Sequence, residues 1–130
     1  MLVVDASVVA PALVDGSGDG ALAREVLRGG DLHAPGLLDV EVLSVLRRHA
    51  LAGRLTEDQA TSALEDLVAL PVRRWGHDVL LPAAWRLRHE VTADGSQYVA
   101  TAQLLDCPLV TADARLARVR HLPCEVRLLR

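Results

Sequence analysis

The chain begins with the stretch LVVDAS at residues 2–7, which decides how the rest of it folds. The first three of these residues are apolar and two are β-branched, a composition typical of a short buried strand. Asp5 follows directly, at the place where open α/β sheets bind their ligands. Ser7 is predicted to cap the next helix with its hydroxyl, so that Asp5 faces the N-terminus of that helix. We therefore expect Asp5 to lie at the centre of a functional site.

Length and composition predict one globular domain spanning residues 1–130. The chain has 130 residues, of which 51% are hydrophobic and 24% are charged. No apolar run approaches the roughly 20 residues that a membrane-spanning helix needs. The N-terminus has no pattern of a signal peptide, so we expect a cytoplasmic protein without a membrane partner. Cys107 and Cys124 lack the spacing of a metal site and are predicted to be reduced.

The net charge of −3 argues against a broad basic surface that coats nucleic acid, but it does not exclude an enzyme that contacts a few phosphates. All 14 basic residues are arginine, a side chain suited to bidentate phosphate contacts. A GC-rich coding sequence explains this preference for arginine at least as well. The absence of lysine excludes a P-loop, because that motif requires one.

Local patterns predict short strands that alternate with helices. Strands are expected at residues 2–4, 32–35, 72–75, 109–110 and 124–129. Helices are expected at residues 7–13, 21–27, 37–52, 57–70, 79–89, 93–105 and 114–119. This alternation predicts a parallel sheet between layers of helices.

Several local features refine these boundaries. The glycine-rich residues 15–20 are expected to form a loop, and Gly53 is predicted to end a helix in the left-handed conformation. Thr56 and Gln59 match a capping box, and Thr92 is a good N-cap. Trp85 recurs at helical spacing with apolar residues, which predicts a place in the core or in a subunit interface.

Four acidic residues are expected at one edge of the sheet. Asp5 and Asp113 follow strands, and Glu41 and Asp94 lie near the starts of helices that point to the same edge. Such a group would repel itself unless a cation compensated, and oxygen ligands of this kind suit Mg²⁺ or Mn²⁺. A metal held there would support hydrolysis of a phosphodiester. Two simpler interpretations stay open: Glu41 as a solvated residue bordering its helix's apolar stripe, and Asp94 as an acid favoured by the helix dipole.

The ordered set of motifs resembles the PIN-domain ribonucleases, and most closely the VapC toxins of bacterial toxin–antitoxin pairs. The motifs are VVDAS at residues 3–7, DVE at 39–41, TA at 92–93 followed by YVA at 98–100, and VTADARL at 110–116. The resemblance implies a three-layer α/β/α fold with a central, mainly parallel sheet of four to five strands. It also implies an endoribonuclease that depends on Mg²⁺ or Mn²⁺, forms a homodimer and is inhibited by a VapB-type antitoxin.

The resemblance also assigns residues. Positions that match the family's acids are Asp5, Glu41 and Asp113, and positions that match polar residues beside the site are Ser7, Thr111 and Arg115. The family usually has a further aspartate three residues before the tyrosine that matches Tyr98, but that position is Gly95 here. The nearest acid is Asp94, which lies about 100° away around a helix, so it substitutes only if the first turn of the helix is shifted or frayed.

Two hypotheses follow from this departure. In the first, the chain is an active ribonuclease whose metal is held by Asp5, Asp94 and Asp113. In the second, the loss of an acid at Gly95 leaves a catalytically impaired PIN-fold module that binds RNA or a protein partner.

Overall fold

The computed structural model describes all residues from Met1 to Arg130, which form five strands and seven helices. The strands are β1 (Leu2–Val4), β2 (Leu32–Pro35), β3 (Val72–Trp75), β4 (Leu109–Thr111) and β5 (Val126–Leu128). The helices are α1 (Ala6–Val14), α2 (Gly18–Arg28), α3 (Leu37–Leu51), α4 (Glu57–Ala69), α5 (His77–Arg86), α6 (Ala93–Leu105) and α7 (Ala114–Ala117). None of these helices is both long and apolar enough to cross a lipid bilayer.

The five strands form one sheet in the order β3-β2-β1-β4-β5, and every neighbouring pair is parallel. Parallel neighbours need crossover connections, which the helices supply on both faces of the sheet. The predicted three-layer α/β/α fold is confirmed, with a sheet that is wholly parallel. Its carboxyl edge therefore gathers the residues that follow each strand, Asp5 and Asp113 among them.

The central strand β1 anchors this edge in the core. Val3 and Val4 are fully buried, and their side chains point to opposite faces of the sheet. Val4 lies opposite Val110 of β4, so Asp5 is level with Thr111. Because β1 has a neighbour on each side, the backbone that leads into Asp5 is held from both directions.

The N-cap of α1 is Asp5, and the prediction that Ser7 caps this helix is wrong. The carboxylate oxygen Oδ1 of Asp5 accepts a hydrogen bond from the Ser7 backbone N–H, at 3.1 Å. Asp5 has the extended backbone of an N-cap, and aspartate is as effective there as serine. The hydroxyl of Ser7 is thereby left for other contacts.

Helix α2 begins at Gly18, so the predicted loop over residues 15–20 is too long. Ser17 is its N-cap, and Asp19 lies in its first turn, where acids are favoured. Gly20 is buried against the end of α1, where a β-carbon would lie 1.8 Å from the Asp15 carbonyl oxygen. The glycine is required by this close approach of two helices, and it does not mark a flexible loop.

Three further boundaries differ from the prediction, and three local signals are confirmed. Helix α5 begins at His77, because Gly76 has the backbone conformation of an N-cap, and it ends at Arg86. Helix α7 ends two residues early, and β5 covers only the middle of its predicted range. The left-handed Gly53, the capping box of Thr56 with Gln59 and the Thr92 N-cap are present.

Trp85 does not belong to the core. Its side chain is 68% exposed, and the guanidinium of Arg88 stacks over its ring at 4.8 Å. The core interpretation is therefore wrong, and a subunit interface stays a prediction.

Candidate active site at the carboxyl edge of the sheet

A cleft of about 490 Å³ opens at the carboxyl edge of the sheet. Its lining includes five acidic residues, namely Asp5, Glu41, Glu90, Asp94 and Asp113. Arg115 is the only basic residue in the lining. The structure thus brings the four predicted acids into one cleft, together with Ser7 and Arg115. Glu90 was missed, because it lies in the α5–α6 connection and follows no strand.

Asp5 is buried in this cleft, with 7% of its surface exposed. Its Oδ1 accepts hydrogen bonds from the Ser7 backbone N–H at 3.1 Å and from the Ser7 hydroxyl at 2.5 Å. Its Oδ2 accepts one from the Thr111 hydroxyl at 2.6 Å. Burial raises the pKa of Asp5, and the hydrogen bonds from Ser7 and Thr111 oppose that rise. A bound cation would stabilise this carboxylate further.

The same two hydroxyls connect β1 to the turn after β4. Ser7 Oγ accepts a hydrogen bond from the Ala112 backbone N–H at 2.8 Å, and Thr111 Oγ1 accepts one from the Asp113 N–H at 3.0 Å. Each hydroxyl therefore accepts from the backbone and donates to Asp5. This double contact fixes the turn that carries Asp113 relative to Asp5.

Asp113 lies closer to solvent than Asp5. It is the N-cap of α7, and its Oδ1 accepts a hydrogen bond from the Arg115 N–H at 2.9 Å. Its side chain is 41% exposed, and Arg115 Nε lies 3.7 Å from the same oxygen. The Arg115 side chain is 91% exposed, so it can move toward a ligand in the cleft.

Glu41 is half-buried in the first part of α3 and accepts a hydrogen bond at Oε1 from the Tyr98 hydroxyl. Burial raises the pKa of Glu41, the Tyr98 hydrogen bond opposes this, and the charges of Asp94 and Asp5 add to the rise. Tyr98 is a contact that the sequence did not reveal, because the two residues lie 57 positions apart and meet only through the fold.

Asp94 and Gly95 both line the cleft, in the first turn of α6. Thr92 Oγ1 accepts a hydrogen bond from the Gly95 N–H at 3.1 Å, so this helix starts where its cap predicts. Asp94 is exposed. A β-carbon on Gly95 would lie 3.3 Å from Thr92 Oγ1 and 3.8 Å from Val91 Cβ, so a side chain fits with a small adjustment.

The donor atoms of the cleft suit a hard divalent cation, although they are not assembled around one. No three His, Cys, Asp or Glu side chains lie close enough together to hold a metal ion as they stand. The acidic lining offers carboxylate oxygens and contains no histidine or cysteine. Mg²⁺ is commonly bound through one or two carboxylates while it keeps several waters, a mode that this cleft allows.

Known proteins with related sequences agree with this architecture. The PIN domain family matches residues 2–122. Ribonuclease VapC1 of Mycobacterium tuberculosis is 43% identical over 129 residues, which cover 98% of this chain and 97% of that protein. The chain belongs to the PIN-domain VapC ribonucleases. Ribonuclease VapC12 of the same species is 34% identical over 128 residues, covering 98% of each chain.

Two solved structures share the fold at low sequence identity. The Mycobacterium tuberculosis toxin VapC20, described as cleaving the sarcin-ricin loop, superposes with a TM-score of 0.67 at 18% identity, covering 89% of this chain and 92% of that one. A chain of VapBC2 from Rickettsia felis, bound to a DNA fragment of its promoter, gives 0.66 at 8% identity, covering 99% and 98%. At these identities the likeness concerns the fold alone.

Proposed function

We propose that this PIN-domain protein is an endoribonuclease that depends on Mg²⁺ or Mn²⁺ and is the toxin of a VapBC-type toxin–antitoxin pair. The observation that carries the proposal is the buried Asp5 carboxylate, which is held by two hydroxyls in a cleft lined by four other acids. Burial disfavours the charged form of a carboxyl group, and a carboxyl buried in a cleft in this way is typical of a functional site.

Asp5 and Asp113 are the residues that would hold the metal directly. Asp94 lines the same cleft, but α6 starts where its cap predicts, so Asp94 would replace only in part the acid that is missing at Gly95. When bound, such an ion activates water and stabilises the charge on the oxygens of a phosphodiester. Ser7 and Thr111 restrict the orientation of Asp5 through their hydrogen bonds. A ligand fixed in this way loses little freedom when it binds an ion.

Glu41 and Arg115 would act on the substrate. Glu41 has a raised pKa, which suits a group that accepts a proton from the water attacking phosphorus. The Tyr98 hydroxyl keeps its carboxylate in place. Arg115 is the only cation in the cleft lining and would contact a phosphate oxygen of RNA.

The partners follow from the family. The VapBC2 neighbour supports a VapB-type antitoxin, and the acidic cleft would accept an arginine or lysine of such a protein in competition with metal and RNA. We also expect a homodimer and a cytoplasmic location. Co-expression with the product of the adjacent upstream gene tests the antitoxin, because failure to co-purify with toxicity unchanged would contradict it.

A second function deserves a test because two observations favour it. No three ligands converge in the cleft, and Gly95 lacks a side chain where the family usually has an acid. A PIN-fold module with impaired catalysis would bind RNA or a partner without cleaving RNA.

One experiment separates the two functions. Purified protein is incubated with RNA in Mg²⁺, in Mn²⁺ or in a chelator, beside Asp5→Asn and the control Asp66→Asn, whose residue is exposed on α4. Asparagine can replace Asp5 as an N-cap, so that variant should fold. The nuclease proposal predicts metal-dependent cleavage by wild type and Asp66→Asn, and none by Asp5→Asn. Equal cleavage by Asp5→Asn contradicts it, and metal-independent binding without cleavage supports the binding module.

A further inference from the structure

The charges of the chain are unevenly distributed along the sequence. Residues 114–130 contain five arginines and one glutamate, whereas residues 1–113 contain nine arginines and 16 acidic residues. The net charge of −3 therefore hides a basic C-terminal segment attached to an acidic body. Such asymmetry is a recognised sign of contact with nucleic acid.

This basic segment begins at the rim of the cleft. Arg115, Leu116 and Val119 line the cleft from the side of α7. Arg118 lies three residues after Arg115 and keeps a helical backbone, so the two side chains are neighbours on one helix surface. Arg120 follows in the turn that leads to His121, which has a φ of 61°. We call Arg115, Arg118 and Arg120 the α7 arginine surface.

Two arginines of this surface are free to bind an external anion. Arg118 and Arg120 are exposed, and neither forms an ion pair or a side-chain hydrogen bond. Several arginines elsewhere are occupied, for example Arg74, which binds Asp39 and three backbone carbonyls, and Arg24, which binds two carbonyls. Other arginines, such as Arg47 and Arg48, are unpaired but do not line the cleft. An unpaired arginine keeps its full capacity for bidentate phosphate contacts.

The acidic cleft makes such a surface necessary for a polyanionic substrate. Five carboxyl groups line the cleft and only Arg115 offsets them, so RNA phosphates would be repelled from most of its walls. The α7 side is the one wall where the charge has the opposite sign. An RNA strand that places one phosphate in the cleft would therefore lay its neighbouring phosphates along α7.

We propose that the α7 arginine surface binds the RNA backbone next to the phosphate that occupies the cleft. This proposal rests on the proposed ribonuclease function and adds a second contact region to it. Because the contacts are to phosphates, they contribute affinity and salt dependence without reading the base sequence. They also orient the strand relative to Asp5.

The test measures binding of a fluorescent single-stranded RNA by anisotropy, in the Asp5→Asn background so that RNA is not consumed. Affinity is followed between about 50 and 200 mM salt, with Arg118→Ala/Arg120→Ala as the test variant. Each phosphate contact to a single strand contributes about 0.7 to the slope of log affinity against log salt, so the slope should fall by about 1.4. Arg118→Lys/Arg120→Lys keeps the charge and should retain most of the slope.

The matched control is Arg47→Ala/Arg48→Ala. These arginines are exposed and unpaired near the C-terminal end of α3, which leads away from the carboxyl edge. The double substitution Arg47→Ala/Arg48→Ala should leave the slope of log affinity against log salt unchanged. An unchanged slope in Arg118→Ala/Arg120→Ala, or an equal fall in the control, would overturn the proposal. Loss of antitoxin co-purification with RNA binding intact would overturn it too, because the surface would then serve a protein.

Cleavage by wild type, measured separately, distinguishes this proposal from the proposed function. If wild type does not cleave RNA but the α7 arginines still govern binding, the nuclease function fails and the binding surface stands. If wild type cleaves RNA and Arg118→Ala/Arg120→Ala has the same affinity and slope, the surface fails and the nuclease function stands.

Discussion

Asp5 and Asp113 occupy the same local structure at two strand tips but differ in their surroundings. Each follows a strand, precedes an alanine and is the N-cap of the next helix. Each accepts a hydrogen bond from the backbone N–H two residues later, Ser7 in one case and Arg115 in the other. Asp5 is nevertheless buried, whereas the Asp113 side chain is 41% exposed.

The register of the sheet explains this difference. Val4 is paired with Val110, so Asp5 lies level with the last residue of β4, and Asp113 lies two residues further out. The local sequence decides that both aspartates cap a helix, and the register decides which one is taken out of water. One carboxylate is therefore held rigidly by hydroxyls, while the other can adjust to a ligand.

The largest expected effect on stability comes from Thr111→Val, which removes the fully buried hydroxyl that donates a hydrogen bond to Asp5. The change keeps the side-chain shape but leaves Asp5 Oδ2 and the Asp113 N–H without this partner. The expected loss is about 1–3 kcal/mol in the free energy of unfolding, measured with urea. Thr101→Val is the control, because its equally buried hydroxyl donates to the Gln97 carbonyl inside α6. Equal losses of stability in Thr111→Val and Thr101→Val would show that the hydrogen bonds to Asp5 contribute no more than an ordinary buried hydroxyl.

The next effect is a dependence of stability on pH to which Asp5 contributes. A carboxyl whose pKa is raised by folding binds extra protons in the folded state, so stability falls as the pH rises from its ordinary value of 3.8 through the raised one. Asp5→Asn removes the contribution of Asp5 to this fall and leaves that of Glu41, whose pKa is also raised, so the melting temperature of the metal-free variant should fall less with pH than that of wild type. Asp113→Asn serves as the comparison, because it keeps the Asp5 carboxyl and should therefore keep the part of the fall that Asp5 causes. Thermal melts across that pH range check both variants.

Sequence reasoning succeeded where the signal is local and failed where it depends on the fold. The strand before Asp5 and the capping box at Thr56 follow from adjacent residues, and both are present. The contact between Tyr98 and Glu41 joins α6 to α3, and the burial of Gly20 depends on how α2 crosses α1, so neither can be derived from spacing alone. Trp85 has the periodicity of a core residue, yet it is exposed at the surface, where the Arg88 guanidinium stacks on its ring.

A smaller effect is expected at Glu41, the acid that Tyr98 holds in place. Tyr98→Phe removes one hydrogen bond and should cost about 0.5–1.5 kcal/mol of stability. Because that bond lowers the pKa of Glu41, its loss should raise the pKa further and move the acidic limb of the pH–rate profile for RNA cleavage to higher pH. Tyr98→Phe with an unshifted profile would remove Glu41 from the proposed proton transfer.

The smallest effect on stability is expected at Gly95, where a carboxylate would add a ligand beside Asp94. Gly95→Asp should change the stability of the metal-free protein by only a few tenths of a kcal/mol, because the gain in helix propensity and in the helix dipole is opposed by repulsion from the other acids of the cleft. It should also tighten metal binding and raise the single-turnover rate of RNA cleavage. Asp94→Asn should cost less activity than Asp5→Asn. Unchanged metal affinity in Gly95→Asp, with Asp94→Asn as damaging as Asp5→Asn, would make Asp94 the ligand itself.

Melting temperature under Mn²⁺ titration tests most directly whether the buried Asp5 tip is a cation site. When the free Mn²⁺ concentration is 100 times the dissociation constant of the site, binding adds about 2.7 kcal/mol to the free energy of unfolding. The account therefore predicts a clear rise in the melting temperature of wild type. The exposed-site control Asp66→Asn should show the same rise, and Asp5→Asn should show none. No rise in wild type, or an equal rise in Asp5→Asn, would contradict the account.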